Sequence, residues 1–179
     1  MEKDDEYSTG KLDHHRRRYK RLFEAYGGQN SAGIGGGSYD STSKLEIANG
    51  KIYAESGSNM GAGIGGGGFG GNGEVSISGG EVTAQGGNFA AGIGGGAQGS
   101  GKVTIKNGKV TAKTNGAAAA IGGGIGGSGD VTILDGTVTA TKNYDSYPVT
   151  GIGGASGSTK KSTVRILGGV VDAVGYGYG

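Results

Sequence analysis

Ala32-Gly33-Ile34-Gly35-Gly36-Gly37 returns four times in this chain: at 62–67, at 91–96, as AAIGGG at 119–124, and as TGIGGA at 150–155. The isoleucines are Ile34, Ile64, Ile93, Ile121 and Ile152, at spacings of 30, 29, 28 and 31 residues. Self-similarity at a nearly fixed period is the signature of a repeat architecture. After each motif come a Gly- and Ser-rich loop and then a short β-branched triplet. The triplets are Leu45-Glu46-Ile47, Val75-Ser76-Ile77, Val103-Thr104-Ile105, Val131-Thr132-Ile133 and Val164-Arg165-Ile166. A glycine stands three residues past each final isoleucine (Gly50, Gly80, Gly108, Gly136, Gly169). A second triplet follows: Ile52-Tyr53-Ala54, Val82-Thr83-Ala84, Val110-Thr111-Ala112, Val138-Thr139-Ala140 and Val171-Asp172-Ala173.

Strand alternation assigns the faces. The outer two residues of each triplet are apolar and share one side; the middle residue points the other way. One repeat cannot bury its own apolar side, but stacked repeats bury it against each other. In-register stacking at about 4.8 Å turns every position into a ladder, and five coils make a rod about 24 Å long. The sequence therefore predicts an all-β fold, a right-handed parallel β-helix of about five coils over residues 31–179. Asn49-Gly50, Asn107-Gly108 and Asp135-Gly136 also read as two-residue hairpin turns. Stacked hairpins, as in a β-prism, are thus the alternative. The solenoid is preferred because the glycine motif supplies a third strand per unit and the unit length is constant.

Composition supports order. Glycine makes up 46 of 179 residues and proline one. The glycines are interrupted regularly by Val, Ile and Thr, unlike a flexible linker, and do not fall at every third position as in collagen. The net charge of +2 selects no partner, and the absence of Cys excludes a disulfide framework. No apolar run approaches the ~20 residues that span a bilayer. The start, MEKDDEYSTG, is charged and shows no secretory signal. That leaves a cytoplasmic or virion-associated protein, or a surface protein without its leader.

Residues 1–30 differ from the rest and form a separate charged segment. Leu12, Tyr19, Leu22, Phe23 and Tyr26 fall near helical spacing, with Ser8 or Thr9 as cap and Gly27-Gly28 as stop. They predict an amphipathic helix, about Lys11 to Tyr26, that caps the open end of the stack. The basic run from His14 to Arg21 sits on that helix. Acidic residues flank it on both sides, so it reads as a solvated face and not as a nucleic-acid site. Adjacent histidines without supporting ligands do not make a metal site. No cofactor is expected.

The unit GIGGG followed by VTI-x-x-G-x-VTA resembles the glycine-rich repeats of right-handed parallel β-helix proteins. These occur in bacterial surface proteins and carbohydrate-binding β-helix domains, and more distantly in pectate-lyase-like and phage tailspike folds. The resemblance covers residues 31–179 and implies architecture first. Its functions span adhesins, glycan binders, polysaccharide lyases and hydrolases. The lyases bring calcium and clustered aspartates. Here Asp40, Asp130, Asp135, Asp145 and Asp172 do not recur at one position, so no lyase site is carried over.

Local motifs for chemistry fail on context. Gly61-x-Gly63-x-x-Gly66 matches a dinucleotide fingerprint, but no helix follows. The stretch Gly96 to Lys102 resembles a phosphate loop, but Val103 stands where Ser or Thr should hold magnesium. Glu74 and Glu81 fall opposite Lys102 and Lys109 on the next coil, which predicts ion-pair ladders and not a catalytic acid pair. The differences between copies hold the binding candidates. Thr83, Thr111 and Thr139 form the most regular outward column, and Tyr53 breaks it at one end. Tyr144-Asp145-Ser146-Tyr147-Pro148 is the longest departure from the repeat, and solenoid insertions gather on a binding face. These seven residues (Tyr53, Thr83, Thr111, Thr139, Tyr144, Asp145 and Tyr147) are the candidate site for a glycan or surface partner. The chain ends directly after its last strand at Val174 to Gly179, an end read as self-associating or docking on a larger assembly. The expected function is a non-enzymatic, adhesin-like rigid binding module. The alternatives are a carbohydrate-active β-helix enzyme and a scaffold or filament subunit.

Overall fold

The computed structural model describes residues 22–57, 59–143 and 148–177. The chain enters through β1 (Leu22–Tyr26). Five coils of three strands follow. The first is β2 (Ile34–Gly35), β3 (Thr42–Ile47) and β4 (Lys51–Glu55), and the second is β5 (Ile64–Gly65), β6 (Gly73–Ile77) and β7 (Glu81–Gln85). The third is β8 (Ile93–Gly94), β9 (Gly101–Ile105) and β10 (Lys109–Thr114), and the fourth is β11 (Ala119–Gly122), β12 (Gly129–Ile133) and β13 (Thr137–Lys142). The fifth is β14 (Thr150–Gly153), β15 (Thr163–Ile166) and β16 (Val170–Ala173). The strands form three parallel sheets with orders β1-β4-β7-β10-β13-β16, β2-β5-β8-β11-β14 and β3-β6-β9-β12-β15. The fold is a parallel β-solenoid.

Register is kept by like-on-like stacking. Val75, Val103, Val131 and Val164 form one ladder, and Ile77, Ile105, Ile133 and Ile166 the next. Ile34, Ile64, Ile93, Ile121 and Ile152 run up the glycine sheet. Inside the three middle coils these side chains are almost wholly removed from water: Ile64, Ile77, Ile93, Ile105, Ile121 and Ile133 are all fully buried. Each contributes on the order of 1.5–3 kcal/mol of burial. Val82, Val110 and Val138 fill a fourth inward column, and the core is thin because Ala54, Ala84, Ala112 and Ala140 occupy the fifth.

The Asn-Gly pairs are corners, not hairpin turns. Gly50, Gly108 and Gly136 take φ of 108°, 110° and 109°, a region glycine enters freely. Their neighbours' N–H groups donate up the stack, from Lys109 to Gly80, Thr137 to Gly108 and Val170 to Gly136, each at 2.8 Å. A hairpin would have paired β6 with β7; instead those strands lie in different sheets. This settles the choice between solenoid and stacked hairpins.

The expected helix from Lys11 to Tyr26 needs correction at its end. Leu22–Tyr26 is a strand, paired in parallel register with β4 so that Phe23 lies over Ile52 and Ala25 over Ala54. Phe23-Glu24-Ala25 is thus a degenerate copy of the Val-Thr-Ala triplet. A strand supplies the donors and acceptors that the edge of β4 lacks, which a helix cannot do. Gly27, expected to stop a helix, continues the ladder by donating to Glu55 O at 2.9 Å. Residues 11–21 of the expected helix lie outside the described residues.

Candidate functional site

The three sheets present three unlike outer surfaces. The glycine sheet has no free one. Backbone bonds tie the segment before one coil's motif to the turn after the next coil's motif: Gly68 N to Asn30 O, Ala97 N to Met60 O, and Ile125 N to Phe89 O, at 2.8–2.9 Å. Loops therefore cover this sheet, and residues 61–68 and 90–97 are buried throughout. Phe89 belongs to this cover. The Gly61-x-Gly63-x-x-Gly66 motif that matches a dinucleotide fingerprint is packed shut, and its glycines are there to let backbone meet backbone.

The sheet containing β1 and β16 is open to water. Its central column is Glu24, Tyr53, Thr83, Thr111, Thr139 and Asp172, fixed by strand register. Four of the seven predicted site residues thus fall in one straight line at strand spacing. Tyr144, Asp145 and Tyr147 lie outside the described residues. Lys51, Glu81 and Lys109 form the column on one side, with Glu81 bridging to Lys51 at 3.5 Å and to Lys109 at 3.9 Å. On the other side stand Glu55, Gln85 and Lys113.

Tyr53 is the most constrained member. Its hydroxyl donates to Glu55 Oε2 at 2.7 Å, and Gln85 Nε2 donates to Glu55 Oε1 at 3.1 Å. Its ring meets Tyr26 at 5.9 Å, tilted by 53°. The hydrogen bond to a carboxylate needs the phenolic proton, so the Tyr53 hydroxyl is pushed up to about 12. Partial burial and the Glu55 charge act in the same direction. The result is an aromatic pair beside a pre-ordered carboxylate and amide, at the head of a threonine column.

The third sheet carries alternating charge. Lys44 pairs with Glu46 at 2.6 Å and Lys102 with Glu74 at 3.0 Å. The Lys44 hydrogen bond holds the Glu46 carboxyl below its ordinary value and raises the lysine in turn. A shallow groove of about 270 Å³ runs beside it, lined by Thr42, Asn72, Glu74, Ser100, Lys102 and Asp130 among others. The expected Glu74–Lys102 and Glu81–Lys109 ladders are therefore present. Among the described residues no group of three or more His, Asp or Glu is placed to hold a metal. No described helix is long and apolar enough to cross a membrane.

At the corner after the glycine motif, Tyr39 and Phe69 stack with ring centroids 4.6 Å apart and planes 14° from parallel. Both backbones are left-handed, with φ of 70° and 60°. The sequence names these rings but carries no sign of their stacking, because a left-handed aromatic is sterically unfavourable and cannot be read from composition.

A family model for the beta helix repeat matches residues 45–68 and 75–97. These are the first triplet pair with the second glycine motif and the second triplet pair with the third motif, segments of coils one to three. No curated protein and no solved structure matches the chain.

Proposed function

Taking the chain as a β-helix repeat protein, we propose that it is a non-enzymatic, rigid binding module for a glycan or a glycan-bearing surface. The observation that carries this reading is the straight column from Tyr53 through Thr83, Thr111 and Thr139. A parallel solenoid repeats hydroxyls at about 4.8 Å along a flat face. A polymer of flat, hydroxylated units meets such a face with many weak bonds at once, and the pre-formed scaffold loses little entropy in doing so. Tyr53 and Tyr26 add an amphipathic aromatic end to the row.

A carbohydrate-active enzyme is the second reading, favoured by the groove on the third sheet. There Glu74 and Asp130 stand two strands apart, about 9.6 Å by strand spacing, with Lys102 between them. The upper limit for a pair of acids that inverts a glycosidic bond is about 9.5 Å. Glu74 is engaged by Lys102, so the binding reading is preferred. A glycan array run with a reducing-sugar assay decides. Binding without sugar release supports the module, release of sugar supports the enzyme, and no binding shifts the assignment to a scaffold or filament subunit.

A further inference from the structure

Every coil carries a left-handed residue five positions past the isoleucine of its glycine motif: Tyr39, Phe69, Gln98, Gly126 and Gly157, with φ between 60° and 75°. The turns are held by backbone alone. Tyr39 N donates to Gly68 O, Gln98 N to Ile125 O, and Gly126 N to Ser156 O, at 2.8–3.0 Å. Coils four and five use glycine there, the residue that enters this region at no steric cost. A Cβ at Gly126 or Gly157 would meet nothing within 4 Å, so room for a side chain is not what separates the coils. Coils one and two accept backbone strain to place an aromatic ring at the corner.

The rings do not serve the core. Tyr39 is 71% exposed and Phe69 38%. They stack on each other face to face, and the Tyr39 hydroxyl has no partner among the described residues. Asp40, the next residue, is exposed and its carboxylate likewise has no partner among them. A stacked aromatic pair with an exposed carboxylate one residue along the chain combines an apolar face with a hydrogen-bond acceptor. A neutral hexopyranose with equatorial hydroxyls complements both, since its axial C–H bonds form a flat apolar face and its rim supplies O–H donors. An anionic sugar would be repelled by Asp40.

We infer that Tyr39, Phe69 and Asp40 form a sugar-stacking site for a neutral β-linked hexopyranose, separate from the threonine column. The ligand class rests on the glycan-binding reading above; the site does not use the same residues. Ordering energy already spent on the strained turn favours rapid capture without rearrangement.

The test uses the full chain with cellohexaose as probe, followed by saturation-transfer NMR and thermal melting. One variant carries Tyr39→Gly and Phe69→Gly, a second Asp40→Asn, and a third Tyr53→Ala with Thr111→Val. The expected result is that the corner variant weakens cellohexaose binding about tenfold or more and keeps its melting temperature within about 4 °C. Asp40→Asn weakens binding less, and the column variant, which removes part of the proposed glycan face, weakens it independently of the corner. Loss of binding in the column variant alone overturns the corner site and leaves the glycan-binding reading standing. No cellohexaose binding by the unaltered chain overturns the corner site, and the array then decides the broader reading. Preferential capture of choline, a cation that also fits an aromatic face beside a carboxylate, overturns the sugar assignment. A large drop in melting temperature of the corner variant with binding intact shows that the rings hold the fold together, and overturns it as well.

Discussion

Gly94 lies in register against Gly122 on the next coil, so close that a Cβ on Gly94 would overlap the Gly122 carbonyl oxygen. Its φ of 131° is also one that other residues rarely adopt. Two penalties therefore meet at one position. Gly94→Ala is expected to abolish cooperative folding or to lower the urea midpoint sharply. Gly126→Ala tests the conformational penalty alone, since its φ is 74° and its Cβ would meet open space. Its cost is expected near 1–2 kcal/mol. Similar costs for the two variants would refute steric closure as the reason for the repeated glycines.

The interior and the end of the stack separate burial from stacking. Ile121 is fully buried in the fourth coil, whereas Ile166 in the fifth is 52% exposed. Ile121→Ala is expected to cost about 2–5 kcal/mol through lost transfer energy and a residual cavity. Ile166→Ala should cost under about 1 kcal/mol, because its side chain is half in water already. Chemical denaturation of both variants checks the contrast.

Alkaline pH should weaken the aromatic end of the column. The Tyr53 hydroxyl is pushed up to about 12 by its bond to Glu55, above the unfolded value near 10. A raised folded-state value favours the protonated form. The stabilising contribution is thus complete below about pH 10 and is lost as pH rises through about 12. Tyr53→Phe should remove this dependence. The check is stability measured across that window for both proteins, with tyrosinate absorbance followed in parallel.

The Lys51–Glu81–Lys109 column should set register more than stability. Its members are 36–67% exposed and its bridges are 3.5 and 3.9 Å long, so screening by water and salt limits each pair to about 1 kcal/mol. Glu81→Lys puts three like charges on one ladder. Destabilisation is expected at low ionic strength and should largely disappear at about 1 M salt, where the screening length is about 3 Å. A loss that salt does not relieve would point to packing of the Glu81 stem instead.

Much of the fold is legible because its ladders are built from identical residues at equal spacing. Val103 over Val75 and Ile105 over Ile77 can be written down from the period alone. Degenerate copies were not legible. Phe23-Glu24-Ala25 carries the alternation of the second triplet, but it adjoins a basic run whose spacing reads as helical. Only the pairing of Ala25 with Ala54 identifies it as a strand. The column of Tyr53, Thr83, Thr111 and Thr139 was visible, while the Tyr53–Glu55–Gln85 hydrogen bonds were not, since Tyr53 meets Glu55 within one strand through side-chain rotamers and Gln85 reaches it from the next coil. Tyr39 and Phe69 stand in the Gly- and Ser-rich loops with no local pattern to single them out. Their equivalence to Gly126 and Gly157 was a signal for positive φ, hidden because only two of five copies use glycine.

The amino-acid sequence by itself determined the period, the inward and outward faces, and the ladder that each position joins. Those follow from alternation and repetition, which are local and one-dimensional. The tertiary structure decided where each corner sends its backbone donors. Asn107-Gly108 suits a hairpin and a solenoid corner equally as a local conformation. The choice fell to the solenoid because Thr137 N finds Gly108 O on the preceding coil at 2.8 Å. Stacking satisfies the backbone of every coil in that way, and no local preference of two residues encodes a partner 29 positions away.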